Sequence, residues 1–201
     1  NKRVIYFDCF SGISGDMILG AFVSLGVALK EIQKGLKYLN VKGYKVNSRQ
    51  VKRNGFAGTK VNVVLNQTSQ KSHRARSFND IKILIEKSDL PQIVKSNSIE
   101  IFRRIGKVEA KVHGTTINKI HFHEVGAIDS IIDIVGGTLG MNLLNADFIV
   151  SSPINTGEGM VKCNHGTLPI PAPATLELLK GIPCFSRGIK KELTTPTGAA
   201  F

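Results

Sequence analysis

Two imidazoles and three carboxylates fall within thirteen residues, in the run His121-Phe122-His123-Glu124-Val125-Gly126-Ala127-Ile128-Asp129-Ser130-Ile131-Ile132-Asp133. In an extended segment His121 and His123 share a face, because side chains alternate with period two. In a helix opened by Gly126-Ala127, Asp129 and Asp133 lie one turn apart on one face. A strand that ends in histidines and turns into a helix carrying aspartates makes a mixed nitrogen and oxygen metal site. Imidazole suits zinc, copper, iron and nickel, and carboxylate tolerates harder ions. Taken singly, each residue also has an ordinary reading: a strand histidine, an aspartate favouring a helix dipole, a solvated helix face.

A second constellation is Asp8-Cys9-Phe10-Ser11-Gly12-Ile13-Ser14-Gly15-Asp16. Placed between a strand and a helix, a Gly/Ser loop offers free backbone N–H groups to an anion. It lacks the GK[ST] of a P-loop and the GxGxxG of a dinucleotide fingerprint. Asp8 stands at a strand end, where phosphatases carry a nucleophile, but Phe10 fills the place of their second aspartate. Cys9 near a helix start could form a thiolate. The plainer alternative is a tight turn with Asp16 as a helix cap.

Two further clusters follow. In Asn164-His165-Gly166-Thr167-Leu168-Pro169-Ile170-Pro171-Ala172-Pro173 the alternating prolines give a stiff, extended entry to a helix and hold His165 and Thr167 in place. In Glu192-Leu193-Thr194-Thr195-Pro196-Thr197-Gly198 the hydroxyls either contact a phosphate or cap a helix.

The elements that must position these residues can be read from periodicity and punctuation. Strands are expected at 4–7, 44–53, 59–65, 119–123, 147–151, 161–163 and 183–187, with a hairpin turn over 54–58. Helices are expected at 17–25, 29–39, 78–86, from Pro91 to about 112, at 127–144 and at 171–179. The polar stretch 66–77 reads as a mobile loop. Alternating strands and helices predict an α/β domain over 1–201, a mixed sheet flanked by helices with an added β-hairpin.

A hydrophobic share of 42% supports a real core, and the formal charge of +12 favours an anionic ligand. Nucleic acid is not expected, since the basic residues run from Lys2 to Lys191, Trp is absent and no nucleic-acid motif occurs. The three cysteines, Cys9, Cys163 and Cys184, form no CxxC, which predicts a reducing, cytoplasmic setting without a disulfide framework. No membrane span or signal peptide is expected. The missing initial Met and the apolar ending Gly198-Ala199-Ala200-Phe201 suggest a fragment of a longer protein.

Four motifs, DCFSGISGDM, HFHEVGAIDSIIDIVG, HGTLPIPAPATLELLKG and ELTTPTGAA, occur in one order along nearly the whole chain. Together they resemble the N-terminal region of the LarC family of nickel insertion proteins. The resemblance implies a nickel chelatase, a lyase of the metal chelatase type. It would load Ni(II) onto pyridinium-3,5-bisthiocarboxylic acid mononucleotide, consuming CTP with Mn(II) or Mg(II). It also implies a C-terminal domain holding the CTP site and a lactate racemase-type recipient enzyme. A homo-oligomer is expected as well. One departure stands out: where relatives often have a His-rich stretch, this chain reads Ser72-His73-Arg74-Ala75-Arg76.

Forming a nickel–carbon bond on the pyridinium ring releases a ring proton, so a base is required. His123, Glu124 and Asp8 are the candidates. His121, His123 and Glu124 would hold nickel transiently, with Asp129 and Asp133 as ligands or as partners of ligands. Ser11, Gly12, Ser14 and Gly15, or His165, Thr167, Thr195 and Thr197, would hold the nucleotide phosphate. The rival readings are a nickel metallochaperone without chemistry and a divalent-metal phosphoester hydrolase.

Overall fold

The structure is a computed structural model that describes residues 2–66, 76–122, 125, 127–163 and 165–201. Strands and helices alternate along the chain, as expected of the α/β class. The strands are β1 Val4–Phe7, β2 Tyr44–Arg53, β3 Phe56–Leu65, β4 Arg76–Ser77, β5 His121–Phe122, β6 Phe148–Ser151, β7 Ile154–Asn155, β8 Met160–Cys163, β9 Gly166–Pro169 and β10 Cys184–Phe185. The helices are α1 Gly15–Ser24, α2 Leu29–Lys37, α3 Phe78–Glu86, α4 Gln92–Val112, α5 Ile128–Leu144, α6 Pro173–Leu178 and α7 Pro196–Ala200.

Among the described residues the strands pair two by two and form no single mixed sheet. β1–β6 and β7–β10 are parallel; β2–β3, β4–β5 and β8–β9 are antiparallel. The chain divides into two compact units. One comprises Asn1–Ser14, Ile101–Ile120 and Asn145–Phe201, the other Gly15–Glu100 and His121–Leu144.

The second unit is built around α5, which is apolar on nearly every side and packs against α1, α2 and β3. Ile18, Leu19 and Phe22 of α1, Ile32 and Leu36 of α2 and Ile131, Ile132 and Val135 of α5 are fully enclosed. Close approach explains the glycines inside α5. A Cβ on Gly136 would stand 3.0 Å from Leu19, and one on Gly140 would collide with the Phe22 ring. Ser98 and Thr138, both buried, share a hydrogen bond of 2.7 Å, and Thr138 Oγ1 also donates to the Val135 carbonyl. Neither hydroxyl is therefore left unsatisfied in the core.

Several boundaries differ from the sequence reading. β3 begins at Phe56, because Asn54 and Gly55 alone make the turn, with φ of 49° and 88°. Two successive left-handed residues are the signature of a two-residue hairpin turn whose twist matches its strands. The strand expected from 119 is shorter, because the N–H groups of Lys119 and Ile120 donate to the Thr116 carbonyl and are spent in a turn. β9 was expected as a proline-stiffened connector; instead it returns along β8 as a hairpin. The loop expected at 66–77 falls mostly outside the described residues, and its last two residues form β4.

Candidate functional site

β5 carries His121 outward and Phe122 inward: His121 is exposed and Phe122 is in the core. His121 stands opposite Ser77, the residue that caps α3 through a reciprocal pair with Asp80. His123 and Glu124 lie outside the described residues. α5 then starts at Ile128, with Asp129 exposed in its first turn and its Oδ1 accepting from the Ser130 N–H at 2.9 Å.

One turn on, Asp133 turns toward the start of α1. A Cβ on Gly15 would stand 2.7 Å from the Asp133 Cβ and 2.9 Å from its Oδ2, so a residue without a side chain gives this carboxyl its space. Its Oδ1 is shut off from solvent and has no hydrogen-bond partner among the described residues. Burial pushes its pKa up to about 7, with the neighbouring charges of Asp16 and then Asp129 adding to the shift. Around neutrality Asp133 therefore exchanges a proton readily, which an ordinary surface aspartate does not. Among the described residues no three His, Cys, Asp or Glu side chains are grouped to hold a metal ion.

In the first unit, two segments that the sequence singled out separately meet. Ile13 bridges to Thr194, and the Thr195 N–H donates to the Ile13 carbonyl at 3.1 Å. Gly12 has φ of 82°, and a Cβ there would run into the Leu193 carbonyl. Asn155 joins the two. Its Nδ2 donates to the Phe10 carbonyl at 2.8 Å, its Oδ1 accepts from the Gly157 N–H, and its own carbonyl accepts from Thr194 Oγ1 at 2.8 Å. Sequence reasoning missed Asn155, since nothing about an asparagine at the end of a two-residue strand marks it as a junction.

This junction satisfies much of its own polarity. The Gly12 N–H donates to the Cys9 carbonyl, while Thr195 Oγ1 pairs with Thr197 Oγ1 and accepts from the Gly198 N–H, capping α7. Asp8 and Ser11 remain exposed, Ser14 is half-buried, and Gly15 opens α1. The thiolate expected at Cys9 is contradicted. Burial, with the Asp8 charge beside it, pushes that thiol's pKa up and keeps it protonated.

His165 and Thr167 sit on the β8–β9 hairpin, His165 in its turn and Thr167 opposite Lys162. The His165 ring lies 4.9 Å from that of His113, tilted by 41°, and His113 Nε2 is 3.4 Å from Glu109 Oε2. His113 was not anticipated, because it reads in sequence as the polar end of a long helix.

A family model described as nickel insertion protein matches residues 5–201. Over 198 residues the chain is 48% identical to the pyridinium-3,5-bisthiocarboxylic acid mononucleotide nickel insertion protein of Desulfitobacterium hafniense (strain DSM 10664 / DCB-2), covering 98% of this chain and 48% of that protein. It is 44% identical over 203 residues to the protein of the same name from Geobacillus kaustophilus (strain HTA426), covering 98% of this chain and 49% of that one. The chain spans about half the length of the curated relatives it matches. No solved structure matches it.

Proposed function

This chain belongs to the nickel insertion protein family, and from that premise we propose that it takes part in inserting Ni(II) into pyridinium-3,5-bisthiocarboxylic acid mononucleotide. Nickel is the substrate, and the protein holds it only until the organic acceptor takes over. His121, His123 and Glu124 are the transient ligands, with Asp129 and Asp133 of α5 as further ligands or as partners of ligands. The observation that carries this reading is Asp133, a carboxyl whose buried Oδ1 has no partner among the described residues. Burial and two neighbouring acids keep it protonated up to about pH 7. An arriving divalent cation favours the ionised form, so nickel displaces that proton.

The chemistry then needs a base. As the ring carbon bonds nickel, its C–H electron pair goes to the metal and the proton leaves. A carboxylate freed from nickel, Asp133 or Glu124, accepts it, with His123 as the nitrogen alternative and Asp8 as a base on the first unit. A base with a pKa near the working pH suits this step. The two thiocarboxylates displace protein ligands one at a time, which favours a loose set of exposed donors such as His121 over a closed cage.

CTP with Mn(II) or Mg(II) is proposed as the co-substrate of the whole protein. No residue of this chain is assigned to them, and no step is derived through them. The nucleotide phosphate is assigned to Ser11, Gly12, Ser14 and Gly15 or to His165, Thr167, Thr195 and Thr197. Of these, Ser11, His165 and Thr167 are exposed. The apo form of a lactate racemase-type enzyme, a C-terminal domain and a second copy of the chain are the proposed protein partners, in the cytoplasm. Among the described residues no helix is long and apolar enough to cross a membrane.

Calorimetric titration with nickel checks the metal claim. The double variant His121→Ala/His123→Ala should lose at least tenfold in affinity. Unchanged affinity and stoichiometry would sink the assignment.

A further inference from the structure

Within the second unit, α2 and the start of β2 enclose a groove of about 850 Å³. Lys30, Lys34 and Lys37 line it from α2, Lys42 from the connecting loop and Lys45 from β2. Positions 30, 34 and 37 follow the spacing of one helix face and span about 10 Å along its axis, at roughly 1.5 Å per residue. The floor is tied together by Gln33, whose Nε2 donates to the Val46 carbonyl at 2.8 Å and joins α2 to β2. All five lysines are exposed. Among the described residues none of them makes an ion pair or a side-chain hydrogen bond. No carboxylate among the described residues lines the groove, and Glu31, the one acid of α2, lies outside it.

Such a gathering of like charge works against the fold. Cations at i and i+4 repel each other on a helix, and no acid in the lining offsets them. Lysine on a strand edge hinders stray strand pairing, which accounts for Lys45 and not for the other four. A concave wall of one charge sign focuses its field on an anion.

The lining also selects among anions. It contains no Arg, the residue whose planar fork grips a phosphate through two bonds. Single-stranded nucleic acid needs open aromatic faces for its bases. The one aromatic side chain here, Tyr44, is half-buried, and its hydroxyl donates to the Leu36 carbonyl at 3.2 Å. A duplex or a membrane meets the rim of such a groove and not its floor. Asn40 and Asn47 are exposed in the lining, and their amides carry both donors and acceptors. A peptide backbone uses both, whereas a phosphate chain uses donors alone.

We propose that this groove docks an acidic segment of a partner protein, its carboxylates on the five lysines and its backbone on the Asn40 and Asn47 amides. Exposed lysines add association rate and specificity more than affinity, so the contact is steered by charge and short-lived. It requires neither nickel nor the nucleotide. In sequence these lysines are lost in a basic content that runs the length of the chain; folding α2 onto β2 gathers them.

The test is fluorescence anisotropy of a labelled peptide of about eight glutamates, titrated at low salt with the 201-residue chain. An all-glutamine peptide and an oligothymidylate of equal charge are the comparisons. The glutamate peptide should bind more tightly than either, and its affinity should fall as salt rises. Lys30→Glu/Lys34→Glu should weaken it at least tenfold. Lys42→Glu/Lys45→Glu should do the same without touching α2, which keeps the test decisive if the helix variant fails to fold. Lys52→Glu/Arg53→Glu, beside the hairpin turn and outside the groove, changes the net charge equally and should leave the affinity within about twofold. Thermal melts confirm that each variant folds. No binding of the glutamate peptide by the folded wild type overturns the proposal. So does an equal loss in the hairpin variant, or equal or tighter binding of the oligothymidylate.

Discussion

Burial of the Asp133 carboxyl costs least when it is protonated. In an unfolded chain it titrates near 3.8, and in the folded chain near 7. Below the lower value both states carry the proton and burial costs little. As pH rises past 3.8 the unfolded state ionises first, so the folded state loses ground until both are ionised above about 7. The full loss is up to roughly 4 kcal/mol. Asp133→Asn should therefore raise stability by about 1–3 kcal/mol at pH 8, allowing for the unpaired amide it leaves. Near pH 4 the gain should vanish, and denaturant melts across this range read it directly. A gain independent of pH would mean that the carboxyl is not held protonated. Sequence gave the spacing of Asp129 and Asp133 but not their difference. Exposure separates them, and only the glycine at position 15, distant in sequence, creates the enclosed place for Asp133.

At the scale of elements, α1 and α5 lie close because glycines face large side chains. Gly140→Ala would press a methyl group into the Phe22 ring, and overpacking of this kind costs about 1–3 kcal/mol. Gly26→Ala would meet no atom within 4 Å, but it would strain a residue at φ of 100°. Thermal melts should show both losses. A melt unchanged by Gly140→Ala would contradict the close packing. The helices and the capping role of the hydroxyls around Pro196 were readable in the sequence, while the Ser77–Asp80 capping box was not, because Ser77 read as the end of a polar loop. The pairing of strands was not readable. β1 and β6 are joined across more than half the chain, and the two-residue strands β5, β7 and β10 are too short to show an alternation.

Across the whole molecule, the motifs identified from sequence fall into both compact units. The first unit joins the Asp8–Ser14 loop to the 192–198 segment through Asn155; the second carries His121, Asp129 and Asp133. That convergence was partly legible, since both segments of the first unit had been singled out, but the asparagine that links them depends on long-range folding. The net charge of +12 fits an anionic acceptor. The most direct check on nickel handling is a nickel titration at about pH 6.5 in buffers of different ionisation heat, for wild type, His121→Ala/His123→Ala and Asp133→Asn. The wild type should bind nickel with release of a proton, the histidine variant should bind at least tenfold more weakly, and Asp133→Asn should release less of a proton. Nickel bound with the same affinity and the same proton release in all three would contradict the nickel assignment.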